Sequence, residues 1–319
     1  MTNKIPLWRS TPPAIFPVCL GLLGLGLGWR NASAVLPVRH EVGDVLLGLG
    51  CAFYLYFVTC YLVKLIARPL VLIEDSENPP ARAGIAAAAM SMMLLAAALL
   101  PFGISAPYVW WAGVIAQIGA CAIGVYAIWR DPRETRQFST FQYLTFVGPV
   151  VGPIAGIRLG YVTESLILTL AALVAYVIIT SGLALQLLRK RPPVHLRPSL
   201  AISLAPVCLF AISFGLLGYD RVFDLFFWLS MAVAVFLILL IPWMIKGGWS
   251  PLWASFTFPL AAFLQVQVMA LTRYGGGLAT AGVYVAMAIA TPIILIIAYR
   301  VTMMYVTGDL AAKSGAARA

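Results

Sequence analysis

The sequence predicts an all-α membrane protein, one transmembrane domain over residues 1–319, with ten spans paired as five helical hairpins. Three observations carry that expectation. Hydrophobic residues make up 62% of the chain and charged residues 10%, more apolar surface than one water-soluble core can hide. Apolar runs of the ~20 residues that a bilayer-crossing helix requires occur ten times, with short connections. Interior prolines recur about every sixty residues, which is the length of one helical hairpin.

The ten runs lie at roughly 12–29, 43–66, 83–104, 107–129, 141–161, 163–188, 198–218, 222–245, 251–272 and 278–305. The first carries Pro13 and Pro17, then Gly21, Gly24, Gly26 and Gly28, a slim series that lets a neighbouring helix approach closely. The second, with Phe53, Tyr54, Tyr56, Phe57 and Tyr61, reads as bulky and lipid-facing. The third is alanine-rich with Met90, Met92 and Met93, and the fourth is proline-free with aromatics at its ends. Val147-Gly-Pro-Val-Val-Gly-Pro-Ile-Ala-Gly156 makes the fifth slim and kinked, whereas the sixth is bulky. Pro206 marks the seventh, the eighth is rich in Phe, Leu and Val until Pro242, and Pro259 marks the ninth. Pro17, Pro149, Pro206 and Pro259 thus sit in odd runs; the third run lacks an interior proline and the tenth has Pro292. The simplest closed arrangement places five slim helices inside five bulky ones. Such an inner ring either surrounds a lumen or packs solid.

Sixteen of the 21 Lys and Arg fall on the side of the termini, among them Lys4, Lys64, Arg133, Arg136, Lys313 and Arg318. Both termini are therefore expected in the cytoplasm. The net charge of +10 becomes a topology signal, and no nucleic-acid partner is needed to explain it. The first run is as long as the others and lacks a polar cleavage region, so no cleaved leader is expected. Cys19, Cys51, Cys60, Cys121 and Cys208 all lie in apolar runs without a Cys-x-x-Cys pair, and His40 and His195 lie in loops. Neither a metal site, a cofactor nor a catalytic constellation is expected, and the chain does not read as an enzyme.

In the ninth run, Ala254, Ser255, Phe258, Ala261, Ala262 and Gln265 share one face of a helix. Pro259 cannot donate to the Ser255 carbonyl, which predicts a kink beside the one aromatic on that face. Phe258 either plugs a pore or fills a gap between close-packed helices. All odd helices start on the termini side, so their positive dipole ends converge there. Arg82, Arg197 and Lys246, which precede three of them, either form an electropositive mouth or act as interfacial anchors. No carboxylate occupies the middle of a run, which favours passive conduction over coupled transport.

The stretch Leu252-Trp-Ala-Ser-Phe-Thr-Phe-Pro259, together with Val147-Gly-Pro-Val-Val-Gly152, Leu204-Ala-Pro206 and Arg82, resembles the tellurite-resistance/dicarboxylate transporter family, that of the bacterial TehA channel and the plant slow anion channels. The resemblance runs from about Pro12 to Tyr305, and departs where Pro17 replaces a small residue and where the third run lacks a proline. It implies five hairpins in quasi-five-fold order around a central pore, a homotrimer, and a multi-pass protein of the bacterial inner membrane. It implies a gate at Phe258, with lumen lining from Ala254, Ser255, Pro259, Ala261, Ala262, Phe16, Pro17, Pro149 and Pro206. The implied activity is conduction of small anions such as chloride or nitrate; a carrier of C4-dicarboxylates or tellurite is the alternative.

Overall fold

The structure, a computed structural model, describes residues 6–130 and 137–317; Lys4, Arg133, Arg136 and Arg318 lie outside the described residues. Those described are helical and contain no strand. Ten apolar segments succeed one another: α1 (Pro13–Ala32), α2 (His40–Ala67), α3 (Pro79–Phe102), α4 (Pro107–Arg130), α5 (Tyr143–Gly156), α6 (Val162–Arg189), α7 (Val194–Leu216), α8 (Asp220–Gly247), α9 (Pro251–Tyr274) and α10 (Gly276–Thr307). All but α5 are long and apolar enough to cross a membrane.

The fifth run is shorter than the sequence suggests, ending at Gly156 in turns, and its prolines divide it into pieces of different helix type. It passes through a π turn at Tyr143–Val147, a 3-10 turn at Gly148–Val151 and a single α turn at Pro153–Gly156. Pro149 has no N–H to offer the Thr145 carbonyl, and Pro153 none for Val150. Neighbouring helices supply the missing donors. Gln117 Nε2 of α4 donates to the carbonyls of Leu144 (3.1 Å) and Thr145 (2.9 Å), and Ser213 Oγ of α7 donates to Val150 at 3.0 Å. Trp110 Nε1 adds a bond to the Gly152 carbonyl at 2.8 Å.

Burial alternates along the chain. Between 67% and 78% of the apolar stretch is buried in α1, α3, α7 and α9, against 22% to 39% in α2, α4, α6, α8 and α10. Each odd helix packs on the even helix after it. Each also packs on the next odd helix, and α9 returns to α1. The α1–α9 contact rests on glycine: a Cβ on Gly21 would lie 2.5 Å from Thr257 Cβ, and one on Gly28 2.8 Å from Leu264 Cδ2.

The expectation that α2 faces lipid with all its aromatics is corrected. Tyr54, Phe57 and Tyr61, at helical spacing, are buried against the inner helices; Tyr56 is exposed. Lys64, counted among the interfacial cations, is also buried. Its Nζ lies 3.1 Å from Asp75 Oδ2 and donates to the Thr11 carbonyl at 3.0 Å. Asp75 belongs to a short helix, Val71–Glu77, and a second short helix, Asp309–Ser314, comes after α10; the sequence pattern signals neither. On the opposite face, Arg30 pairs with Asp44 at 3.2 Å and Arg273 with Asp224 at 3.1 Å.

Candidate functional site

In three odd helices, proline marks the point where a tight 3-10 turn relaxes into an α-helix. Pro17 is the second residue of the α segment Phe16–Ala32, Pro206 the third of Leu204–Leu216 and Pro259 the third of Thr257–Tyr274. The 3-10 turns ahead of them span Pro13–Ile15, Val194–Ser203 and Pro251–Phe256. The first N–H groups of an α-helix have no internal partner, so a proline there forfeits nothing and presets φ for the α turns beyond it. The kink expected at Pro259 therefore takes the form of a helix-type change at Phe256–Thr257.

Thr257 locks this junction. Its hydroxyl lies 2.9 Å from the Pro17 carbonyl of α1 and 2.7 Å from the Ala254 carbonyl, both within donating range. That tie sets the rotation of α9, and Phe258, 6% exposed, comes to rest against Gly24. A Cβ on Gly24 would sit 3.6 Å from the Phe258 ring.

A cavity of about 480 Å³ occupies the half of the molecule nearer the termini, and all five odd helices contribute to its wall. Ala14 and Pro17 come from α1, Ala83 and Met90 from α3, Tyr143 and Gly148 from α5, Pro206 and Leu209 from α7, and Ser255 and Phe258 from α9. No lining residue comes from an even helix. Asn78, His195, Lys313 and Ser314 mark one end. Met90 is about three helical turns, or ~16 Å, deeper than the start of α3, and with Leu209 and Phe258 it marks the other. The wall is apolar over most of its depth. Among its described residues no Asp or Glu appears, and Lys313 is the one Lys or Arg.

Of the residues expected to line a lumen, Ala254, Ser255, Phe258, Pro259, Pro17 and Pro206 face this cavity. Four do not. Phe16 turns outward, its ring edge-on to Tyr54 and Tyr61 of α2 at 6.4 and 5.8 Å, because adjacent helix positions point about 100° apart. Ala261 packs against Gly24, Ala262 is buried away from the cavity, and at Pro149 it is the neighbouring Gly148 that reaches the wall.

None of the three cations expected at the mouth is part of the described wall of this cavity. Arg82 donates from Nε to the Ser76 carbonyl at 2.9 Å and borders an adjoining cleft that shares Asn78, Pro80, Phe141 and Leu196 with this cavity. Arg197 lies 4.2 Å over the Trp243 ring and donates to the Pro192 carbonyl, and Lys246 is exposed outside the cavity. Sequence reasoning misses Lys313, Met90, Tyr143 and Leu209 as wall residues, and sees His195 only as part of a loop. The glycines at 308 and 315, both left-handed, are the available signal that Lys313 belongs to a separate turn of helix folded back on the molecule.

A family model described as SLAC1, voltage-dependent anion channel, matches residues 10–307. No curated protein matches the chain.

Proposed function

The chain belongs to the SLAC1 family of voltage-dependent anion channels, and on that premise we propose that it conducts small monovalent anions, chloride and nitrate foremost, through a pore enclosed by its five odd helices and gated by Phe258. The observation that carries the reading is the origin of the cavity wall: every odd helix and no even helix contributes to it, and Phe258 is part of it. An apolar, narrow passage selects by how readily an ion sheds its water, which favours weakly hydrated monovalent anions over a dicarboxylate. The absence of acidic groups from the described wall removes the strongest repulsion an anion meets. In this reading the prolines keep the surrounding wall slim, and the Phe258 ring is the one bulky group that must move.

Five hairpins in quasi-five-fold order, a homotrimer with one pore in each subunit, and a bacterial inner membrane with both termini in the cytoplasm complete the proposal. Light scattering of the solubilised protein and a reporter fused to the C terminus read assembly and topology.

Purified protein in a planar bilayer tests the gate. Phe258→Ala is expected to raise chloride current by about an order of magnitude over wild type, since a hydrophobic constriction blocks by excluding water. An unchanged current from a normally folded variant refutes the gating role. Saturable malate uptake with counterflow, in place of ohmic current, identifies a carrier.

A further inference from the structure

We propose that Lys313, on the segment folded back after α10, is the charge that recruits anions to the mouth of the cavity; this rests on the conduction reading above. Gly308, in a left-handed conformation that favours glycine, ends α10 and reverses the chain into Asp309–Ser314. Leu310, fully buried, anchors that turn of helix. Two bonds hold its far side: Asn78 Nδ2 donates to the Ser314 carbonyl at 2.9 Å, and the Ala317 N–H donates to Asp75 Oδ1 at 2.8 Å. The segment is thereby fixed across the face where the cavity opens, and Lys313 and Ser314 become part of its wall.

Position and sign give Lys313 its consequence. It is the one Lys or Arg among the described wall residues, and no Asp or Glu is among them; Arg197 lies over the Trp243 ring, Lys246 is exposed outside the cavity, and Arg82 borders the adjoining cleft. A unit positive charge ~7 Å from an anion raises the local anion concentration roughly two- to three-fold in water. Salt cancels that gain, because the screening length falls to about 3 Å at 1 M.

The experiment compares chloride conductance at about 20 mM and 1 M salt, with Lys313→Gln and Lys313→Arg each made in wild type and in the Phe258→Ala background. The expected result is a two- to three-fold loss for Lys313→Gln at low salt, no loss at 1 M, and retention with Lys313→Arg. Asn78→Leu, which releases the Ser314 carbonyl, is expected to reproduce part of the low-salt loss and to add little to Lys313→Gln. A loss equal at both salt concentrations marks a structural role and overturns the inference, as does an unchanged low-salt conductance when Phe258→Ala conducts. If Phe258→Ala carries no extra current, the gate reading falls. Lys313 is then judged by the same salt comparison on chloride flux into liposomes from wild-type protein, where absence of flux overturns the recruitment role too.

Discussion

Gly24 is the wall against which Phe258 rests, and its lack of a side chain sets the position of the ring. A methyl there meets Ala261 Cβ at 3.0 Å, so Ala261 must yield by a few tenths of an ångström, whereas the Phe258 ring at 3.6 Å is in ordinary van der Waals contact. Because Ala261 lies one turn beyond Phe258 on α9, Gly24→Ala is expected to shift that turn and carry the ring with it, lowering wild-type chloride flux two-fold or more at a cost of about 1 kcal/mol of stability. In the Phe258→Ala background the same change should leave flux unaltered; an equal effect in both backgrounds rules out the ring as the route. At Gly21 the clash is with Thr257 itself, Cβ at 2.5 Å and backbone carbonyl carbon at 3.0 Å, and neither is a free side-chain end. Gly21→Ala should therefore cost about 1–3 kcal/mol, seen as a lower melting temperature in detergent. The sequence displays the glycine series, Phe258 and the proline beside it. It does not display which of two adjacent residues faces the cavity, as Phe16 and Pro17 show. A run that is apolar all round has no polar face to orient it, and the contacts that set its rotation come from a helix more than two hundred residues away.

At the scale of elements, α5 depends on α4 for its continuity. Gln117 is 1% exposed, and its amide donates to two carbonyls that the break at Pro149 leaves short of donors. Gln117→Leu keeps the volume and removes the donor. A buried orphan carbonyl costs about 1–3 kcal/mol, and the loss should lie toward the lower end because Cys121 Sγ remains 3.0 Å from the Thr145 carbonyl. The double variant Gln117→Leu/Cys121→Ala should melt lower than either single variant; additivity without any excess would mean that the two groups do not share that acceptor. The alternation of slim and bulky runs was legible because proline and glycine leave a direct mark on a sequence. The length of α5 was not, since its apolar character continues past Gly156, where the helix gives way to hydrogen-bonded turns over 157–161. Val71–Glu77 and Asp309–Ser314 were equally hidden: six or seven residues carry too little periodicity to declare a helix.

Across the whole molecule, both ends of the described chain meet at one buried ion pair. Lys64 and Asp75 have fully buried side chains 3.1 Å apart. Lys64 also holds the Thr11 carbonyl, Thr11 shares a hydrogen bond with Tyr305 at 3.0 Å, and Asp75 accepts from Tyr61 and from the Ala317 N–H. The entry to α1, the end of α2, the end of α10 and the segment carrying Lys313 are thus fastened together beside the cavity mouth. Counting Lys64 only as a topology charge hid this, because a charge census records the side of the membrane and says nothing about partners. Removing one member strands the other: Lys64→Met should cost about 3–5 kcal/mol, as a carboxylate is left in the interior without its cation. Replacing both, Lys64→Met with Asp75→Leu, removes the stranded charge and should recover most of that loss. The recovery stays incomplete because the Tyr61 hydroxyl and the Ala317 N–H lose their acceptor. Thermal unfolding of the two single variants and the double in detergent decides the matter. A double variant that melts above Lys64→Met establishes the pair as one coupled unit, whereas one whose loss equals the sum of the singles shows that each residue acts through its other bonds. The double variant also frees Ala317, so its conductance at low salt should fall toward that of Lys313→Gln even where its melting temperature has recovered.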